Sequence, residues 1–148
     1  ALLIGSQDPA CDPKEWIENP DDFDRDVSIR QWNSQVYRMA LRIPELPIPT
    51  RPLGVADLYD VTEDWIPIYD RSSLDGFYMA VGTSGNQFKN APLIGQLMTA
   101  IITACESGHD TDAQPHHFRC PKTGLELSLD VFSRKREANL DSSRSVLG

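Results

Sequence analysis

The sequence lacks an excess of basic residues. It contains 14 lysines and arginines against 22 aspartates and glutamates, which gives a formal net charge of -8. A chain of this charge attracts neither the phosphates of nucleic acid nor the headgroups of anionic lipids. We therefore do not expect nucleic acid or an acidic membrane surface as a partner.

Cysteine is also scarce. Cys11, Cys105 and Cys120 are far apart and irregularly spaced. This pattern is typical of reduced thiols in an intracellular protein. A single disulfide between two of the three cysteines is the alternative. Residues 1–5 are too few for a secretory leader and carry no basic charge, so we expect an intracellular, cytoplasmic location.

A GxGxxG turn is absent from the whole chain. That turn lets a backbone approach the pyrophosphate of a dinucleotide. The chain also starts without methionine, and its apolar residues 1–6 predict a strand. We therefore expect the first residue to mark a cut in a longer chain. The 148 residues are enough for one domain with a sizeable core.

The most informative stretch is a predicted strand, loop and helix. Residues 77–81 are apolar on both faces, which predicts a buried strand. A loop with two glycines follows at residues 82–89, and a helix begins near Asn90 with Pro92 in its first turn and Gly108 as its stop signal. Because the helix is apolar over most of its circumference, we expect it to lie buried between other elements, and it is a poor membrane span.

The residues before this stretch predict a half-buried helix and two strands. An apolar stripe at helical spacing runs over residues 23–41, with Asn19 or Asp22 as the cap. Four prolines then predict an extended linker. β-Branched and aromatic residues predict antiparallel strands at residues 55–61 and 65–69, joined by a turn.

The residues after Gly108 are mostly polar. They predict a loop, a short strand over residues 125–131 and a polar tail over residues 132–148, in which Arg134 and Arg136 are solvated. A zinc site is a weak alternative for this region, because its residues His109, His116, His117 and Cys120 lack a second convincing ligand pair. We therefore predict no metal site.

Two blocks of residues resemble a known family. They are LYDVTEDWIPI at residues 58–68 and GTSGNQFK at residues 82–89, separated by the DGFY turn and strand. Together they resemble the carboxy-terminal part of FAD-dependent amine oxidoreductases, the family of D-amino-acid oxidase, glycine oxidase, sarcosine oxidase and dimethylglycine dehydrogenase. The resemblance is densest over residues 54–108.

The resemblance implies an α/β fold, as a mixed α+β fragment with two main helices. Residues 1–70 would belong to a substrate-side domain with an antiparallel sheet. Residues 71–110 would supply the closing strand, loop and helix of a Rossmann-like FAD-binding domain, and residues 111–148 a carboxy-terminal extension. Since the family carries GxGxxG near its amino terminus, we expect a carboxy-terminal fragment whose partner is the missing amino-terminal portion.

The same resemblance implies that the loop holds FAD. The backbone N–H groups of residues 85–89 would face the pyrimidine edge of the flavin, where reduction places negative charge near N1 and the C2 carbonyl oxygen. The alternative is an ordinary turn between a strand and a helix. The predicted cofactor-binding residues are Gly82, Ser84, Gly85, Asn86, Gln87, Phe88 and Lys89.

Tyr59 and Lys89 are the predicted catalytic residues, because the family uses a tyrosine and a lysine at these places to hold the substrate carboxylate. The alternatives are a packed tyrosine and a solvated lysine. Asp57 stands where some members carry a cysteine bonded to flavin, and a carboxylate forms no such thioether, so FAD should be noncovalent there. Thr62, Asp64 and Pro67 also match the family, and we expect them to be structural.

The function implied is oxidation of the C–N bond of an amino acid or N-methylated amine, by hydride transfer to FAD. The isolated 148 residues should bind FAD weakly and show no turnover. The alternative is a noncatalytic subunit or binding module that retains the scaffold of the flavoenzyme.

Overall fold

The computed structural model describes residues 2–5 and 14–144. They form two compact units, Ala1–Leu58 and Tyr59–Gly148. The described residues are a mixture of helix and strand, with two main helices and two small antiparallel sheets. The mixed fold is therefore confirmed, whereas its Rossmann-like character and the domain boundaries after residues 70 and 110 stay predictions.

Within the described part of the first unit there is one helix, α1, over Ile29–Ala40. The Ser28 hydroxyl caps it by accepting a hydrogen bond of 3.1 Å from the backbone N–H of Gln31. The predicted start near residue 23 is wrong, because the Asp24 carboxylate accepts the backbone N–H of Asp26 and holds this stretch in a turn. The predicted strand over residues 1–6 is wrong for residues 2–5, which are irregular, and its other residues lie outside the described ranges.

The second unit begins with an antiparallel hairpin. Strand β1 spans Ile68–Arg71 and pairs with β2 over Tyr78–Val81. The predicted strand at residues 55–61 is wrong, and the one at residues 65–69 begins only at Ile68. Side-chain hydrogen bonds of Thr62 and Asp64 take up the backbone groups of Ile66, so the chain turns here and does not extend.

Strand β2 is not buried, contrary to the prediction. The sheet has only two strands, so β2 lies at an edge, and Val81 is 44% exposed. A short apolar run is compatible with burial on both faces, but the number of neighbouring strands decides whether burial occurs. The pairing of β2 in a sheet is confirmed.

Helix α2 spans Ala91–Glu106 and follows a 3-10 turn over Phe88–Asn90. Pro92 in its first turn and Gly108 after its end, at φ +87°, confirm the sequence prediction. The prediction that the helix is buried between other elements is wrong, because only Leu97 and Ile101 are fully buried within it. The other residues of the helix are half-buried or exposed.

A second hairpin completes the core. Strand β3, His117–Arg119, pairs with β4, Glu126–Ser128, and a 3-10 turn over Leu129–Phe132 follows. The predicted strand over residues 125–131 is therefore only three residues long. Among the described residues, no helix has both the length and the apolar character that crossing a membrane requires. The buried core cluster consists of Tyr69, Leu97, Ile101, Phe118 and Leu129.

Residues 133–142, the carboxy-terminal segment, are not the solvated tail that the sequence predicts. The Arg134 guanidinium contacts the carboxylates of Asp70 and Asp112 at 3.1 and 2.7 Å. The Arg136 guanidinium donates to Asp64 at 2.7 Å. The prediction fails because these partners are far away in sequence, where local composition carries no signal for them.

Candidate functional site

The candidate site is the loop between β2 and α2, residues 82–90, which we call the donor loop. Gly82, Ser84 and Gly85 all have left-handed backbone conformations, with φ of 69°, 53° and 72°. A Cβ atom at Gly82 would lie 2.4 Å from Cγ2 of Thr62. The close approach and the positive φ both require glycine at this position.

The first half of the donor loop is bound to Asp60. The Asp60 carboxylate accepts hydrogen bonds from the backbone N–H of Gly82 and, at 3.1 Å, from that of Thr83. It also accepts the Thr83 hydroxyl at 2.9 Å, while the Asp60 carbonyl oxygen accepts the Ser84 N–H at 2.9 Å. The amides of Gly82 and Ser84, two of the predicted cofactor-binding residues, thus already have partners.

Asp60 is an anion at neutral pH. Burial acts to raise the pKa of its carboxyl group, but the hydrogen bonds from Gly82 and Thr83 outweigh burial and lower it. Burial, followed by the nearby charge of Asp60, raises the pKa of Tyr69 to about 12. Tyr69 therefore stays protonated and acts as a hydrogen-bond donor.

A network of hydrogen-bonded side chains holds the second half of the donor loop. The hydroxyl of Tyr69, a residue only 2% exposed, donates to Oε1 of Gln87 at 3.0 Å. Nδ2 of Asn90 donates to the same oxygen at 3.1 Å, and Nε2 of Gln87 donates to Oδ1 of Asn86. The sequence analysis missed Tyr69, whose place in a predicted strand was its only signal.

Four backbone N–H groups between these anchors have no acceptor among the described residues. They belong to Gly85, Gln87, Phe88 and Lys89. The Phe88 side chain is 97% exposed, and the exposed Lys89 ammonium has no ion-pair partner within the described ranges. Asn86 differs, because its N–H donates to the Thr83 carbonyl oxygen at 3.2 Å. The donor loop thus offers four amides and one cation.

Tyr59 lies beside the residue that fixes the donor loop. Its ring meets Trp65 edge-on, with centroids 6.0 Å apart, and is about half exposed. Because Asp60 is its neighbour in sequence, the backbone at Tyr59 is tied to the first half of the donor loop. The Asp57 carboxylate is exposed and accepts the Leu58 N–H at 2.9 Å.

Asp64 forms a second buried anchor on the same stretch of chain. It is 1% exposed and accepts hydrogen bonds from two nitrogens of Arg136, at 2.7 and 3.2 Å, and from the Asn139 N–H at 3.1 Å. Burial acts to raise the pKa of Asp64, but the Arg136 guanidinium and three further donors hold it well below its usual value. The predicted structural role of Thr62 and Asp64 is confirmed by these contacts and by a 3.0 Å hydrogen bond between them.

The loop predicted after Gly108 holds for His109 and His116 but is wrong over His117–Arg119, which form β3. His109 Nε2 lies 2.8 Å from the Gln114 carbonyl oxygen, and its ring meets that of His116 edge-on. In the part of the chain that the structure describes, no three His, Cys, Asp or Glu side chains are grouped to hold a metal. Cys105 and Cys120 are free thiols, and Cys11 lies outside the described residues.

The residues present fit a flavin edge in part. The pyrimidine edge presents carbonyl oxygens and N1, which accept hydrogen bonds, and the amides of residues 85 and 87–89 are donors with positive partial charge. The amides of Gly82 and Thr83 do not fit, because the Asp60 carboxylate occupies them. No protein-family model, curated protein or solved structure matches the chain.

Proposed function

We propose that the chain is the carboxy-terminal part of a flavoprotein oxidoreductase that oxidises the C–N bond of an amino acid or N-methylated amine. The observation that carries the proposal is the run of unpartnered amides at Gly85, Gln87, Phe88 and Lys89, held between two internal anchors. When bound, FAD would accept a hydride from the carbon next to the substrate nitrogen.

The amides of the second half of the donor loop would stabilise negative charge at the pyrimidine edge. Their dipoles are fixed by the hydrogen bond from Tyr69 to Gln87 and by the left-handed turn at Gly85, so they need little reorganisation. Asp57 offers no sulfur for a thioether, which supports a noncovalent cofactor at that position.

Lys89 and Tyr59 would hold the substrate carboxylate. An unpaired ammonium supplies a point charge without first breaking an ion pair, and Lys89 is exposed at the end of the amide run. The Tyr59 hydroxyl would add a hydrogen bond, since half of the residue is accessible and its ring is supported by Trp65.

The proposal assigns the pyrophosphate of FAD to a separate amino-terminal portion, because these residues contain no GxGxxG. The 148-residue chain should therefore bind FAD weakly and have no turnover. The small-molecule amine is the expected substrate, and the cytoplasm is the proposed location.

A noncatalytic subunit or binding module is the second candidate. It is favoured by Asp60, because an internal carboxylate occupies half of the donor loop and places a negative charge beside any electron-rich ligand. A colourless, correctly folded full-length protein would support this candidate. Flavin absorbance in the same protein would support the oxidoreductase.

The site can be tested directly on the 148-residue chain. We expect millimolar lumiflavin to shift the amide NMR signals of Gly85, Gln87, Phe88 and Lys89 more than those of Gly82 and Thr83, because only the first four amides are unpartnered. Adenosine monophosphate, at the same concentration, is the control for stacking and phosphate binding and should leave the four signals in place. A folded chain whose four signals do not respond to lumiflavin would contradict the proposed site.

A further inference from the structure

We propose that Asp60 is the positioning residue of the donor loop. It binds the amides of Gly82, Thr83 and Ser84 and thereby leaves those of Gly85, Gln87, Phe88 and Lys89 as the ligand-binding half. The ordering of the loop by Asp60 stands on geometry alone, whereas the identity of the ligand rests on the function proposed above.

The bonding pattern makes a carboxylate necessary at residue 60. The Gly82 N–H meets one carboxylate oxygen, and the Thr83 N–H and hydroxyl meet the other. A carboxylate has two accepting oxygens, whereas the amide group of asparagine has one acceptor and one NH₂ donor. In an Asp60→Asn variant, either orientation of the side-chain amide would place its NH₂ donor opposite an N–H donor of the loop. One of the hydrogen bonds would therefore be lost.

The positions of the two anchors explain why this matters for a ligand. Asp60 fixes residues 82–84, and Tyr69 fixes the loop through Gln87, with Gly85 between them. If the first anchor is lost, the amides of Gly82 and Thr83 become additional donors, and they compete with the second half for the same electron-rich atoms. Asp60 therefore both orders the loop and determines which of its amides are available.

The test uses the 148-residue chain with Asp60→Asn and Asp60→Ala. The matched control is Asp57→Ala, which removes an exposed carboxylate whose bond is to the neighbouring Leu58 amide. Amide hydrogen exchange at Gly82 and Thr83 should be at least about tenfold faster in both Asp60 variants, since a charge-assisted hydrogen bond to each amide is lost. The control should leave exchange at these amides unchanged.

Chemical rescue distinguishes positioning from a general loss of structure. Millimolar acetate should slow exchange at Gly82 and Thr83 in Asp60→Ala, because its carboxylate replaces the missing one, and should have no effect in wild type or Asp57→Ala. In Asp60→Ala without acetate, lumiflavin should shift the Gly82 and Thr83 signals more than it does in wild type. An Asp60→Glu variant, which keeps two accepting oxygens, should restore part of the protection if Asp60→Ala does not fold.

The outcomes separate this inference from the proposed function. Unchanged exchange at Gly82 and Thr83 in Asp60→Asn, or faster exchange that acetate does not reverse in folded Asp60→Ala, would overturn the positioning role whatever lumiflavin does. If exchange and rescue behave as expected but lumiflavin moves no amide of the wild-type loop, Asp60 still positions the loop and the flavin function fails.

Discussion

The donor loop and the carboxy-terminal segment are both polar stretches, yet they use their polar groups differently. Each is fastened to the same short stretch of chain, the donor loop through Asp60 and the carboxy-terminal segment through Asp64. In the carboxy-terminal segment, the guanidinium groups of Arg134 and Arg136 both form ion pairs with carboxylates. In the donor loop, four amides and Lys89 remain unpartnered among the described residues. Polar groups satisfied within the chain stabilise the fold, and those left over mark the candidate site.

The strongest test of this contrast is Arg136→Met. Removing one partner of a buried ion pair leaves the Asp64 carboxylate uncompensated, and this typically costs about 3 to 5 kcal/mol. We expect a loss of that size in the free energy of unfolding, measured with urea through signals of residues 59–144. Lys135→Met is the matched control, because the Lys135 side chain is 60% exposed and its pair with Asp112 should contribute less than about 1 kcal/mol. Equal losses of unfolding free energy in the two variants would show that burial of the ion pair does not determine its contribution to stability.

Acid should weaken the carboxy-terminal segment. Arg136 and its neighbours lower the pKa of Asp64 against the effect of burial, and the Arg134 hydrogen bond lowers that of Asp112. In the unfolded chain both carboxyl groups take up protons near their ordinary pKa of about 3.9. Their stabilisation is therefore complete above that pH and is lost as the pH falls towards the lower folded values.

The measurement is the free energy of unfolding as a function of pH in wild type and Arg136→Met. The decrease in acid should be shallower in the variant, because its Asp64 no longer has the partner that lowers the pKa. Parallel curves would show that Asp64 does not contribute to the acid sensitivity.

The donor loop should respond to Gly82→Ala with a smaller loss. A left-handed conformation costs a non-glycine residue roughly 1 to 2 kcal/mol, and the new Cβ would also meet Thr62 Cγ2. Gly76→Ala is the matched control, since its φ of 75° is similar and no atom lies within 4 Å of its Cβ position. We expect urea unfolding to show a larger loss for Gly82→Ala. Equal losses would mean that Thr62 moves aside without cost.

Sequence analysis succeeds where the signals are local. Pro92 and Gly108 define the ends of α2, and the glycines of residues 82–89 define the donor loop. It fails for the carboxy-terminal segment, because the Asp64 and Arg136 partners are 72 residues apart. It predicts the amides of residues 85–89 as flavin donors from the family resemblance, without a reason why the earlier amides of the loop are occupied. The difference between them depends on Asp60, which is 22 residues before Gly82 and whose side chain carries no local signal of this contact.

Lys89→Met should have the smallest effect on stability and the most selective effect on function. Lys89 is exposed and has no ion-pair partner among the described residues, so the free energy of unfolding of the 148-residue chain should change by less than about 0.5 kcal/mol. In the proposed full-length oxidoreductase, a lost charge-assisted contact of roughly 1.5 to 3 kcal/mol should reduce kcat/KM for an amino-acid substrate about tenfold to a hundredfold.

The informative comparison for Lys89 uses a substrate analogue without the carboxylate. The analogue never makes the contact, so the Lys89→Met variant should lose much less kcat/KM with it than with the amino acid. Methionine keeps most of the volume of the lysine stem, which limits any effect through packing. Equal losses for the two substrates at unchanged FAD content would show that Lys89 acts on the flavin or on the loop. The unpartnered half of the donor loop would then bind the cofactor alone, and the substrate carboxylate would need another cation.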